Sequence, residues 1–214
     1  MKTQDLIQQL AKDTTPVRRL SSPGRRLAVW SVAALLLLIA GVMIRGLRPD
    51  LAQKIVSYRF TLEALLIFAL SLVSALSALA SGVPGAERPV WTRWAPVAAL
   101  TAWLALLCFH MAKIAALSGP GALAAGHGTP CIRDILLLGL LPGAGLTAMM
   151  RRAAPIHLGL SGALAALAAG SLAALGTQFA CRIDDPLHTL VWHAATVLAA
   201  TVIGSALGKK LLRW

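Results

Sequence analysis

Residues 158–180, "LGLSGALAALAAGSLAALGTQFA", contain no charged side chain. A bilayer core about 30 Å thick requires about 20 apolar residues in helical form. A small residue recurs at every fourth position, at Gly162, Ala166, Gly170 and Ala174. Such a stripe lets helix backbones approach closely in lipid, where small residues favour helix association. This stretch therefore predicts a membrane-spanning helix that packs tightly against a neighbour.

Five further apolar runs have lengths suited to membrane helices, and they cover residues 27–44, 61–82, 90–115, 135–150 and 188–208. The fourth span, 135–150, is short and contains Pro142, which favours a kink. Charged residues make up only 13% of the chain, whereas a soluble domain carries about 25%. We therefore expect an all-α polytopic membrane protein, with six transmembrane helices in a compact bundle.

The basic residues predict how these helices are oriented. With the amino terminus in the cytoplasm, the inner segments hold 13 Lys and Arg residues and the outer segments hold 7. Because cytoplasmic loops are enriched in Lys and Arg, both termini are predicted to be cytoplasmic. The outer loops then lie near residues 45–60, 116–134 and 181–187. The first of them runs against the rule, since it contains Arg45, Arg48, Lys54 and Arg59, and its apolar spacing is compatible with a short surface helix.

We expect three parts in the chain. Residues 1–26 form a cytoplasmic segment, called the head below, residues 27–208 form the transmembrane domain, and residues 209–214 form a basic cytoplasmic tail. The net charge of +12 is assigned to membrane orientation and to contact with anionic lipid, so no direct binding to nucleic acid is expected. The oligomeric state is left open, because the stripe of small residues in 158–180 could serve between chains as well as within one.

Thiols, imidazoles and carboxylates concentrate at the predicted outer side. Cys131 lies in an outer loop, and "CRIDDPLHTLVWH", residues 181–193, contains the others: Cys181, Asp184, Asp185, His188 and His193. The two cysteines could form a static disulfide, sense by reversible oxidation or metal capture, or be unrelated.

Two interpretations apply to the residues that follow Cys181. Asp184 and Asp185 precede Pro186, a favourable start for a helix, and capping accounts for them. Capping does not account for His188 and His193. Thiolate and imidazole together suit zinc, cadmium or copper, although Cys-x6-His alone is a weak signature. No cofactor is required by the sequence, but a thiophilic metal such as zinc or cadmium could bind transiently.

The other function classes find less support. The middles of the spans contain no charged side chain, whereas transporters place ionisable groups near the membrane midplane. Nucleophile elbows, phosphate-binding loops and paired metalloprotease histidines are lacking. We predict a protein that is not an enzyme. The alternatives are a redox-active membrane enzyme of the disulfide-exchange type, although the sequence has no C-x-x-C pair, or a transporter of a small molecule or metal.

The head predicts a short amphipathic helix followed by a basic tether. Leu6, Ile7, Leu10 and Ala11 share one helical face, and Pro16 ends the helix. This helix could lie on the membrane or dock into a groove of a soluble partner.

The segment "DLIQQLAKDTTPVRRL", residues 5–20, the six spans and "CRIDDPLHTLVWH" together resemble the NrsF family of bacterial membrane anti-sigma factors. The resemblance implies a multi-pass protein of the bacterial inner membrane that holds an extracytoplasmic-function sigma factor inactive. It implies release of that factor when two periplasmic cysteines, here Cys131 and Cys181, respond to oxidants or heavy metals. It favours sigma-factor binding by the head, with these residues as candidates: Leu6, Ile7, Leu10, Pro16, Val17, Arg18 and Arg19. The resemblance assigns no sensing role to Cys108.

Overall fold

The structure is a computed structural model, and it describes residues 3–12, 20–82, 90–153 and 155–213. Over these ranges it is helical, with no strand. The helices are α1 (Thr3–Lys12), α2 (Pro23–Arg45), α3 (Leu51–Ile55), α4 (Tyr58–Ala80), α5 (Val90–Ser118), α6 (Thr129–Arg151), α7 (Leu158–Ala180) and α8 (Pro186–Leu211). All except α1 and α3 are long and apolar enough to cross a membrane. The prediction of an all-α fold with six such helices is confirmed.

Three local predictions can be compared with the structure. The short helix expected in the first outer loop is present as α3, and the helix expected in the head is present as α1. The fourth span is longer than predicted, because α6 begins at Thr129 and contains 23 residues with Pro142 inside it. The carbonyl of Pro142 accepts a hydrogen bond from Trp30 Nε1 at 2.9 Å. Sequence hydropathy missed the polar first turns of this helix, which contribute to the site described below.

Helix α7 forms the centre of the bundle. It packs against α2, α4, α6 and α8, and most of its residues between Ser161 and Gln178 are buried. The buried core includes large side chains such as Ile67 of α4, Trp103 of α5 and Leu172 of α7 itself. Lipid tails are as apolar as these side chains, so close packing and interhelical hydrogen bonds hold such a bundle together.

The small-residue stripe of α7 packs closely against α8, as its spacing predicted, and the two helices form a tight seam. A Cβ atom placed on Gly162 would lie 2.3 Å from the carbonyl oxygen of Gly204 and 2.7 Å from Cα of Gly208. A Cβ atom on Gly204 would lie 2.3 Å from Cβ of Ala166. Because these contacts are largely with backbone, no side-chain rotation could relieve them.

One end of the bundle is closed by an ion-pair network. The Arg48 guanidinium, only 3% exposed, donates to both carboxylate oxygens of Asp50 (2.7 and 2.9 Å) and to both of Asp184 (2.7 and 2.9 Å). Lys54 Nζ lies 2.6 Å from Asp184. Two-point pairing of Arg with carboxylate is strong and directional. It fixes the loop after α2 against the loop between α7 and α8.

The network also explains why the first outer loop contains so many basic residues. Arg45 pairs with Asp134 at 2.6 Å, and Arg59 donates to the backbone carbonyl of Asp184. All four basic side chains of this loop therefore bind acceptors within the protein. Because their charges stabilise the packing of this loop, their presence on the predicted outer side conflicts less with the enrichment of Lys and Arg in cytoplasmic loops.

Replacing Gly162 with alanine should destabilise the bundle, because the new methyl group would collide with the backbone of α8. Overpacking of this kind costs about 1–3 kcal/mol. Gly145→Ala is the matched control, since nothing lies within 4 Å of a Cβ atom there. Thermal unfolding in detergent should show a clearly lower midpoint for Gly162→Ala only. Equal midpoints would contradict the seam.

The ion-pair network should make folding acid-sensitive. Its hydrogen bonds to Arg48 lower the pKa of Asp50 from 3.8 to about 2. Burial alone would raise the pKa of Asp184, but hydrogen bonds from Arg48 and Lys54 outweigh it and lower that pKa. Groups with a lowered folded-state pKa stabilise the fold above their unfolded pKa, and this stability is lost as pH falls through the folded pKa.

Thermal stability should therefore decline from pH 4 towards pH 2. Asp184→Asn removes one of these titrating groups, so its stability should be lower at pH 7 and should depend less on pH in this window. If the thermal stabilities of the wild type and Asp184→Asn fell in parallel with pH, Asp184 would not contribute to the acid sensitivity.

Candidate thiol–imidazole site

Four side chains meet beside the ion-pair network and form a thiol–imidazole cluster: Cys131, Cys181, His188 and His193. One donor atom from each lies within 4.8 Å of all the others. Cys131 belongs to the first turn of α6, Cys181 directly follows α7, and the histidines belong to the first turns of α8. The cluster thus joins the ends of three helices that are distant in sequence.

The two cysteines are free thiols. Their sulfur atoms lie 3.8 Å apart, well beyond the disulfide length of about 2.05 Å. His188 Nε2 lies 3.6 Å from the sulfur of Cys131 and 3.5 Å from that of Cys181. The sequence left three interpretations of the two cysteines open. This geometry does not fit the interpretation in which the two thiols are unrelated.

A π-helical turn brings the two histidines to one face. Residues Thr189–Ala194 form this turn within α8. In an α-helix, positions five apart point about 140° away from each other. In a π turn the hydrogen bonds join residue i to i+5, so positions five apart are stacked. The rings of His188 and His193 accordingly lie 5.5 Å apart, edge to face.

His188 is held in one orientation by the loop before α6. Its Nδ1 lies 2.6 Å from the carbonyl oxygen of Ala125. Because a carbonyl oxygen only accepts hydrogen bonds, Nδ1 bears the proton and Nε2 of the neutral ring has a free lone pair. That lone pair faces the two sulfur atoms. The ring is fully buried.

Trp192 and Asp185 fix the same loop. Trp192 Nε1 donates to the carbonyls of Ala125 and Gly126 at 3.0 and 3.2 Å. Asp185 accepts from the backbone N–H of Ala124 at 2.9 Å and caps α8 through Leu187 N–H at 2.8 Å. The loop also depends on Gly128, where a Cβ atom would lie 2.1 Å from the Trp192 ring.

His193 is the least satisfied member of the cluster. It is 2% exposed, and neither ring nitrogen has a hydrogen-bond partner within the described part of the chain. Buried polar groups are nearly always hydrogen-bonded. The His193 imidazole therefore lies beside the two thiols with ring nitrogens available to a ligand.

The environment of Cys181 favours its thiolate. The neighbouring Cys131 thiol acts as a hydrogen-bond donor and lowers the pKa of Cys181; burial opposes this effect and His193 adds to it. Cys181 is only partly buried. A cavity of about 390 Å³ is lined by both cysteines together with Arg45, His127 and Arg182. Small solutes can thus approach the sulfur atoms.

The predicted site residues are thus divided. Cys131, Cys181, His188 and His193 come together, whereas Asp184 binds Arg48 and Lys54 and Asp185 caps α8. Both aspartates support the loops around the cluster without entering it. Cys108 is exposed on α5.

The candidate sigma-binding residues lie in or just after α1. Ile7 is 60% exposed. Leu6 and Leu10 belong to α1, but their side chains are not among those described. Pro16, Val17, Arg18 and Arg19 lie outside the described residues.

Sequence reasoning missed the parts of the site that are supplied by distant backbone. The Ala125 carbonyl leaves no signal in side-chain patterns. Arg48 did leave a signal, because a cluster of basic residues in a predicted outer loop calls for acidic partners. The π turn left no signal in the hydrophobic pattern of the sequence.

Comparison with known proteins identifies the family. The family model described as "Negative regulator of sigma F" matches residues 10–214. The chain is 33% identical to the anti-sigma-F factor NrsF of Caulobacter vibrioides (strain NA1000 / CB15N) over 230 aligned positions, with both chains fully covered. It is 27% identical, again over the whole of both chains, to a probable anti-sigma-F factor NrsF of Azospira oryzae.

No solved structure matches the chain. The family match covers nearly the whole sequence and includes every member of the thiol–imidazole cluster. The chain therefore belongs to the NrsF family of negative regulators of sigma F.

Proposed function

We propose that this negative regulator holds an extracytoplasmic-function sigma factor inactive at the bacterial inner membrane. In this proposal the head binds the sigma factor, and a reaction of Cys131 and Cys181 with an oxidant or a heavy metal releases it. The observation that supports it best is the pair of free thiols 3.8 Å apart in the cluster. In the orientation predicted from the basic residues, the cluster lies at the periplasmic end of the bundle and the head at the cytoplasmic end.

The head offers an apolar helical face to a partner. In α1 the side chain of Ile7 is mostly exposed, and ten residues form too short a helix to be stable alone in water. Docking into a groove of the sigma factor would bury this face. The basic segment that includes Pro16, Val17, Arg18 and Arg19 follows directly and would contribute to the same interface.

Oxidation of the two thiols provides one signal. A peroxide such as hydrogen peroxide accepts two electrons and is reduced to two molecules of water, with the two thiol protons taken up. Cys131 and Cys181 then share a disulfide. Their sulfur atoms must approach from 3.8 Å to about 2.05 Å. Because Cys131 lies at the start of α6 and Cys181 at the end of α7, this approach moves one helix end relative to the other.

Helix α6 offers a continuous route from the cluster to the head, because it contacts α2 at three levels. Asp134 binds Arg45 near the cluster, the Pro142 carbonyl accepts from Trp30 in the middle, and the Met149 carbonyl accepts from Arg26 at the far end. Helix α2 begins at Pro23, so the last residues of the head, including Arg26, form its first turn. A rigid shift of α6 would thus act on the point where the head joins the bundle.

Serine replacement of Cys131, of Cys181 or of both should abolish release, because serine forms neither a disulfide nor a thiolate–metal bond. The induction of a sigma-dependent promoter by hydrogen peroxide or cadmium should then be at least tenfold smaller than in the wild type. Cys108→Ser, on the outside of α5, should respond normally. If all three variants kept the wild-type response, the cysteines would have no part in the signal.

Placing a charge on the apolar face of α1 should disrupt capture of the sigma factor. Ile7→Glu in the full-length chain should reduce co-purification of the sigma factor at least tenfold, because a carboxylate would be desolvated in the interface. Gln8→Glu, at the adjacent exposed position, introduces the same charge outside that face and should bind normally. Equal capture by both variants would argue against docking through this face.

A further inference from the structure

We infer that Cys131, Cys181, His188 and His193 bind a resident zinc ion as a closed, four-coordinate site. In the function proposed above, a metal reaches the thiols only as a signal. A zinc ion bound at rest is a different statement, and it concerns four named ligands. Its existence follows from the geometry of the cluster, whereas its role in release rests on the proposed function.

The spacing of the donor atoms fits tetrahedral zinc. Zinc bonds of about 2.3 Å to sulfur and about 2.05 Å to nitrogen, at tetrahedral angles, place two sulfur ligands about 3.8 Å apart and sulfur and nitrogen about 3.6 Å apart. The observed distances are 3.8 Å between the sulfurs and 3.6 and 3.5 Å from them to His188 Nε2. Three ligand atoms thus already occupy three corners of the tetrahedron.

His193 completes the set. Its donor nitrogen lies within 4.8 Å of the other three donor atoms, so a displacement on the order of 1 Å, which a ring rotation supplies, brings it to bonding distance. Both of its buried nitrogens lack hydrogen-bond partners among the described residues. Zinc would satisfy one of them.

The surroundings of His188 are those of a metal ligand. Metal-binding histidines commonly donate their second N–H to a carbonyl or carboxylate, which fixes the ring. His188 does so through Nδ1 to the Ala125 carbonyl. Trp192 donates to the same oxygen, so the carbonyl is itself held in place.

Charge and ligand chemistry favour zinc over harder cations. Two thiolates neutralise the dication, and a neutral complex suits a buried position far better than an isolated charge. The cluster contains no carboxylate, which magnesium and calcium would require. Tetrahedral coordination by two sulfurs and two nitrogens is typical of zinc. With four protein ligands, no position remains for a substrate, so the site would be structural.

Zinc would clamp three helix ends, while a disulfide joins only two. The metal would tie the start of α6, the end of α7 and the start of α8 together. Hydrogen peroxide would convert the two bound thiolates to a disulfide and, with two protons, would itself be reduced to two water molecules, freeing the zinc ion. The disulfide holds Cys131 to Cys181, and α8 loses its link through His188 and His193. In the oxidised state the disulfide would hold α6 to α7, and α8 would no longer be bound to either of them through the metal.

The test uses the full-length protein purified in detergent under reducing conditions. Zinc content should be one ion per chain by elemental analysis, and cobalt substitution should give the visible absorption of a tetrahedral site with thiolate ligands. His188→Gln and His193→Gln should each weaken zinc binding at least tenfold and change the cobalt spectrum. His157→Gln and Cys108→Ser are matched controls, since neither residue belongs to the cluster or lines its cavity, and both should bind zinc as the wild type does.

Two results would overturn the inference. The first is a wild-type protein that contains no zinc and takes up none when zinc is added. The second is a His193→Gln variant that binds zinc fully and has an unchanged cobalt spectrum. Circular dichroism of each variant guards against misfolding, because helical content should not change. Reporter transcription separates the two proposals. If zinc is absent but the cysteine variants lose induction, only the zinc site fails. If zinc binds but the cysteine variants respond normally, only the proposed release mechanism fails.

Discussion

The close approach of α7 and α8 is the constraint on which the rest of the structure depends. Gly162, Gly204 and Gly208 let the two backbones touch, and only five residues, 181–185, connect the helices. That short connection places Cys181 directly beside the first turns of α8. The seam and this short connection together keep Cys181 within reach of two histidines on the next helix. In an apolar solvent such packing is the main source of cohesion between helices.

The ion-pair network and the thiol–imidazole cluster share the loop between α7 and α8. Asp184 of this loop binds Arg48 and Lys54, Asp185 caps α8, and Cys181 points into the cluster. A loop fixed at several points has little freedom of its own. Changes at the sulfurs are therefore more readily passed to helices α6 and α8 than absorbed locally, as expected for packed elements with discrete arrangements.

Much of this architecture was predictable because its signals are local in sequence. Apolar runs of the required length located the six spans, and the recurrence of small residues from Gly162 onwards located the seam. The concentration of Cys181, His188 and His193 in one short segment pointed to the cluster. What could not be predicted depends on contacts between distant segments. The lone pair of His188 is oriented by the carbonyl of Ala125, and Cys131, in the polar first turns of α6, lies beside His188 of α8. The orientation of the bundle, with both termini cytoplasmic, stays a prediction from the basic residues.

The π turn at Thr189–Ala194 has a consequence for how α8 can change over evolution. A π turn accommodates one residue more than the α-helical repeat, and so it resets the angular phase of everything that follows. The histidines before and within it must face the sulfurs, while Gly204 and Gly208 after it must face α7. A deletion that restored the regular repeat would rotate these two faces by about 100° relative to each other. Only this one additional residue lets the histidines face the cluster while the glycines face the seam. The number of residues in this segment is therefore as constrained as their identity.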